Sequence, residues 1–169
     1  MTSRAPSAAL DLGLASAAVV ALLRAPAAEA RPDPRARRAD QPRPGQQIYS
    51  TTCAACHQPN GEGNGETYPP LAGSEWVTGP EGRVARIVLH GLTGEVEVAG
   101  QTYSGAMPPW KDVLKYEEIA AVLTYVRSSW GNKAPAITAA TVASIRAANA
   151  SRTTPWTVAE LAKVLPVAK

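Results

Sequence analysis

Phenylalanine is absent from this 169-residue chain, and four tryptophans and five tyrosines are its only large aromatic side chains. Alanine is abundant and large aliphatic residues are few. So small a chain, so poor in bulky apolar groups, struggles to assemble a core from side chains alone. Cysteine, histidine and methionine occur twice each. No Ser/His/Asp arrangement, pair of catalytic carboxylates or nucleotide loop is visible, which points away from an enzyme. Gly61, Gly63 and Gly65 follow no strand and precede no G-K-[ST], so they read as a tight loop and not as a phosphate cradle. Nor does any apolar stretch reach the roughly 20 residues that span a bilayer.

Charge of one sign is missing where it would matter for nucleic acid. The net charge is +3, yet residues 45–131 hold five Lys/Arg against nine Asp/Glu. The excess of base lies in residues 31–44, with five Arg against two Asp, and in residues 132–169, with five bases against one acid. An acidic centre with basic arms suits electrostatic docking to a protein partner and argues against a broad nucleic-acid surface.

What is there is concentrated in residues 53–57, C-A-A-C-H. Cys53 and Cys56 are the only cysteines, and the C-x-x-C-H spacing is that of a c-type haem attachment site. Two thiols three positions apart lie on one face of a helical turn, where each can form a thioether to one haem vinyl group. His57 is then held beneath the iron as the proximal ligand. A disulfide between these cysteines closes a tiny loop and gains little entropy. A zinc site wants four N/S ligands, and Cys53, Cys56, His57 and His90 would exhaust the chain. A thioredoxin-like pair should sit beside a βαβ pattern, and none is near. A buried porphyrin also supplies the apolar surface that the composition lacks.

Residues 1–30 have the form of an export signal: Arg4, an apolar stretch uninterrupted from Leu12 to Leu23, and an A-x-A site at Ala28-Glu29-Ala30. The stretch is short for a membrane anchor, so cleavage before Arg31 and no direct membrane span are expected, with an uncleaved anchor as the alternative. Residues 31–44 alternate proline with arginine and read as a solvated linker. The folded domain is expected at 45–131 and a helical extension at 132–169.

Ile48, Tyr49, Cys53 and Cys56 at helical spacing put the motif at the end of a short amphipathic helix. In Tyr68-Pro69-Pro70-Leu71, the carbonyl of Pro69 or Pro70 can orient the His57 ring, with Leu71 against the macrocycle; a plain turn is the alternative. A helix opens at Pro80-Glu81, carries Val84, Ile87 and Val88 inward, and closes at His90-Gly91, with the glycine in a left-handed cap. His90 is either a sixth iron ligand or a helix-end residue near a haem propionate or the surface. Residues 94–103 alternate and predict a two-stranded ribbon turning at Ala99-Gly100-Gln101. It leads to Met107, between small residues and Pro108-Pro109, on a stiff loop. Met107 is the better candidate for the distal ligand, where a thioether raises the reduction potential; a core gap-filler is the bland alternative. A last domain helix runs from Asp112 or Tyr116 to Trp130, capped by Gly131. In the extension, helices are expected at 138–150 and after the capping box Thr157-Val158-Ala159-Glu160.

With these segments in order, the chain resembles the class I (mitochondrial-like) cytochrome c domains of bacteria. The resemblance rests on C-A-A-C-H, P-P-L-A-G, G-A-M-P-P-W and A-A-V-L-T-Y-V-R, and covers about residues 45–131. More narrowly, P-P-L-A-G-S-E-W-V with R-I-V-L-H-G-L resembles mono-haem cytochromes attached to respiratory oxidases, nitrite reductases or dehydrogenases. It implies an all-α fold of three to five helices around one covalent haem c, with the short ribbon as an insertion. It also implies that Cys53 and Cys56 hold the haem and that His57 and Met107 are the axial ligands of its iron. The function implied is a periplasmic carrier of single electrons between redox protein partners in a respiratory chain, since attachment to C-x-x-C-H requires export in bacteria. The alternatives are a dedicated haem subunit of a dehydrogenase, nitrite reductase or oxidase, and a haem enzyme or gas sensor with an open distal site.

Overall fold

The computed structural model describes residue 2 and residues 44–65 and 67–164. Apart from Thr2 and Pro44, the expected export signal and linker lie outside the described residues. The chain opens with a helical rod in three parts: α1 (Gly45–Ile48), a π-helical turn (Tyr49–Cys53) and α2 (Ala54–His57). The amphipathic helix expected here is present, but widened at the turn that enters the motif. A widened turn of this kind is most often met at functional sites. α2 stops because Gln58 adopts φ 61°, and the Tyr49 hydroxyl donates to the Gln58 carbonyl at 2.6 Å.

α3 (Glu75–Thr78) is capped by Ser74, whose hydroxyl accepts from the Trp76 N–H. α4 (Glu81–His90) follows Pro80 as expected, with Val84, Ala85, Ile87 and Leu89 buried. Gly91 ends it at φ 84°, ψ 170°, an extended positive-φ conformation and not the left-handed cap expected. The reason is the next element: β1 (Leu92–Val98) starts at once and needs extended backbone.

β1 pairs antiparallel with β2 (Gln101–Met107) through an Ala99-Gly100 turn, in the register Leu92↔Met107 to Val98↔Gln101. The ribbon is thus longer than the pattern indicates. Met107 is the last residue of a strand, not part of a loop beyond it. α3 holds the ribbon down: the Glu75 carboxylate accepts from the Ala99 N–H at 3.2 Å, and the Trp76 indole donates to the Glu97 carbonyl at 2.7 Å.

α5 (Tyr116–Ser128) begins at Tyr116, with the Lys115 N–H satisfied by the Glu118 carboxylate at 3.0 Å. Asp112 lies in a preceding turn, and the helix ends two residues short of Trp130. Ile119, Val122, Leu123 and Val126 form its buried face and pack on Ile48 and Tyr49 of the rod. Arg127 is buried in the same seam. Its guanidinium donates to the carbonyls of Val77, Gly79 and Pro135 and so ties α3, α5 and the extension together.

The extension forms α6 (Ala139–Ala148), capped by the Thr138 hydroxyl, and α7 (Val158–Val164), opened by the reciprocal Thr157–Glu160 capping box. It packs back on the domain. Val142 and Ile145 join the main core, and Trp156 and Leu161 form a second cluster with Ile87. The whole is a mainly helical fold with one two-stranded ribbon, as expected. No helix among the described residues is long and apolar enough to cross a membrane.

Candidate functional site

Between the rod, α4, α5 and the ribbon lies a cavity of about 300 Å³. Cys53, Cys56, His57, Pro69, Pro70, Leu71 and Met107, all singled out by the sequence, line it. The remaining wall is largely apolar, with Trp76, Val88, Trp110, Leu114 and Leu123 prominent.

The motif is presented by the end of the helical rod. Cys53 and Cys56 are free thiols, not a disulfide. Burial, followed by the neighbouring Cys56, pushes the Cys53 thiol up to about 11. Among the described residues no three His, Cys, Asp or Glu side chains gather into a metal-binding group. The zinc alternative therefore lacks its ligands.

His57 is buried, and its Nδ1 lies 2.9 Å from the Pro69 carbonyl. A carbonyl can only accept, so Nδ1 carries the proton and Nε2 keeps its lone pair for a metal. Burial holds the ring below its ordinary range, with the Pro69 carbonyl pulling weakly the other way. Of the two prolines proposed for this role, Pro69 fills it. Gly63 makes that possible: a Cβ there would stand 2.0 Å from the Tyr68 carbonyl oxygen, and its φ of 67° suits glycine. The Leu71–Gly73 segment that follows is braced from afar by Asn132, whose amide accepts from the Gly73 N–H and donates to the Leu71 carbonyl.

Met107 enters the cavity from the end of β2. Beyond it the chain is pinned to α4, with the Trp110 N–H on the Val88 carbonyl at 2.9 Å and the Lys111 N–H on the Leu89 carbonyl at 3.2 Å. His90 does not line the cavity, and it is not at the surface. It lies about 200° round α4 from Val88, only 3% exposed, because the extension covers the end of that helix. Neither of its ring nitrogens makes a well-formed hydrogen bond.

Sequence pattern does not single out Trp76, Trp110, Asn132 or Gln58, though all four shape the site. The two tryptophans carry the one usable signal, since bulky aromatics are so scarce in this chain. An apolar cavity with two free thiols and an oriented imidazole on the rod, and a thioether arriving on a separate strand, has the donor set that a covalently attached haem requires.

The family model described as "Cytochrome c" matches residues 42–130. Over 92 residues the chain is 44% identical to "Cytochrome c-552" of Thermus thermophilus, covering 52% of this chain and 69% of that one. It is 38% identical over 106 residues to "Alcohol dehydrogenase (quinone), cytochrome c subunit" of Gluconacetobacter polyoxogenes, covering 61% of this chain and 22% of that protein. With "Gluconate 2-dehydrogenase cytochrome c subunit" of Pantoea cypripedii it shares 35% identity over 115 residues, 63% of this chain and 25% of the relative. The match thus spans a quarter or less of either dehydrogenase subunit.

Proposed function

We propose, from the premise that this chain belongs to the cytochrome c family and carries one covalent haem c with its iron, that it is an exported, periplasmic carrier of single electrons. In this reading Cys53 and Cys56 hold the haem, and His57 and Met107 ligate the iron. The observation that carries it is the convergence of two thiols, one oriented imidazole and one thioether on a single apolar cavity.

The bound haem supplies a one-electron Fe(II)/Fe(III) couple. The chain's own residues bind it, orient it and keep water away. Cys53 and Cys56 fix its position. The Pro69 carbonyl sets the plane of the His57 ring and raises its basicity. The Met107 thioether favours the reduced state and so raises the potential. Leu71, Val88 and Leu123 wall the cavity with hydrocarbon, while Trp76 and Trp110 add bulk. No bond in a substrate need break, so the protein is a carrier and not itself an enzyme. Its partners are redox proteins: a dehydrogenase as donor, or an oxidase or reductase as acceptor.

An absorption spectrum tests this directly. The oxidised protein is expected to show the weak far-red sulfur-to-iron band, and Met107→Ala to lose it and fall in reduction potential. A coloured protein lacking the band in the unsubstituted form would overturn the methionine ligation; a colourless one, expressed with working attachment machinery, would overturn the whole reading. Carbon monoxide separates the carrier from a haem enzyme or gas sensor, because a carrier with both axial positions filled responds little.

A second reading is favoured by the similarity to dehydrogenase cytochrome subunits: a dedicated haem subunit of a larger enzyme. Salt-resistant co-purification with such an enzyme supports it, whereas reversible, salt-sensitive association supports a free shuttle.

A further inference from the structure

The C-terminal extension touches the Met107 segment at both ends, and nothing in the electron-carrier reading requires that. Leu92, the Cα partner of Met107 in the ribbon, is also bridged in parallel to Trp156. The Trp156 N–H donates to the Gly91 carbonyl at 3.0 Å, and the Thr93 N–H donates to the Trp156 carbonyl at 2.8 Å. Leu92 is thus the middle of a three-strand stack, with Met107 on one side and the extension on the other. On the far side of Met107, the Lys111 ammonium donates to the Arg152 carbonyl at 3.0 Å.

Side chains reinforce the backbone. Met107 packs against the cluster of Ile87, Trp156 and Leu161, two of whose three buried members belong to the extension. Trp156 is held in turn by the Arg152 guanidinium, 3.6 Å from its ring centroid, and Arg152 is fixed by Glu160 at 2.7 Å. The two ends of the methionine segment and its packed flank therefore all lean on residues 152–161.

We propose that Trp156, seated by Arg152, is a positioning residue for the Met107 ligand: the extension is a clamp that keeps the thioether in place and the distal side of the haem closed. The proposal rests on Met107 being the distal ligand. It assigns to the extension a part in setting how often the sixth position opens. Because the Trp156 indole N–H is buried with no hydrogen-bond partner, the ring's bulk performs the task and its polar atom does not.

The test uses the full-length, haem-loaded protein and carbon monoxide as the probe. Apparent affinity for a ligand of the open state scales with the fraction of molecules in that state. Trp156→Ala is expected to raise carbon monoxide binding to the reduced protein by about tenfold or more, and to weaken the far-red sulfur-to-iron band of the oxidised form. Trp156→Phe is expected to restore both. Ile145→Ala, in the part of the extension that packs on the main core and not on the methionine segment, lowers overall stability and leaves both readouts as in the parent. Should Trp156→Ala fail to fold, Lys111→Met removes the second tether at a partly exposed position, and a smaller change in the same direction is expected. If Trp156→Ala folds with unchanged carbon monoxide response and band, or if Ile145→Ala matches it, the clamp is refuted. An unchanged response to Lys111→Met refutes it where Trp156→Ala cannot be made. A parent protein without the sulfur-to-iron band instead refutes the ligand assignment on which the proposal stands.

Discussion

At the scale of single residues, the site is held by backbone contacts that leave no room for a side chain. A Cβ at Gly91 would stand 2.5 Å from the Met107 carbonyl oxygen, and the position has φ 84°. Gly91→Ala therefore meets both a clash and a strained conformation. It is expected to cost about 2 kcal/mol or more in chemical denaturation and to disturb the sulfur-to-iron band, because the group it displaces carries Met107. His90 offers a different test. Its pKa is lowered by burial first, then by the positive charges of Lys111 and Arg152, against a weak pull from the Arg152 carbonyl, with Arg146 adding to the lowering. The unfolded chain takes up this proton near pH 6.5 while the folded protein resists it. Stability attributable to His90 is thus intact above that pH and declines as pH falls below it towards the depressed folded value. Denaturation at pH 7.5 and 5.5 is expected to show a smaller acid loss for His90→Leu than for the parent.

At the scale of elements, what the sequence makes legible follows from periodicity and capping chemistry. α4 begins after Pro80 and ends before Gly91 as the residues indicate, and α5 buries Ile119, Val122, Leu123 and Val126 at helical spacing. The Thr157–Glu160 box is read correctly because both of its hydrogen bonds are local. The second strand is harder to see. Ser104, Gly105 and Ala106 are exposed, offer no alternation of apolar and polar residues, and owe their extended form to pairing with β1. Arg127 is invisible for the opposite reason: a charged residue at a helix end is expected in solvent, and only the assembled fold shows three carbonyls waiting for it. Arg127→Leu preserves bulk but strands the carbonyls of Val77, Gly79 and Pro135. A loss of about 3 kcal/mol is expected, measurable as a lower denaturation midpoint, with the haem spectrum unchanged in the folded protein.

At the scale of the whole molecule, the shortage of bulky side chains and the cavity are the same fact seen twice. Val122, Leu123 and Val126 of α5 belong to the core that includes the rod and also line the cavity, so the same side chains serve both the core and the cofactor space. A chain with Cys53→Ser and Cys56→Ser, unable to retain haem covalently, is expected to lose much of its helical circular dichroism, since the remaining core is too thin to repay the chain entropy. Retention of full helix content in that double variant would show that the side chains suffice by themselves. The placement of Trp76 and Trp110 in the cavity wall has one more outcome. Ultraviolet light absorbed by either indole would pass to a haem held in that cavity and be lost as heat. The loaded protein should therefore be nearly dark, and any event that parts the indoles from the haem should announce itself as fluorescence.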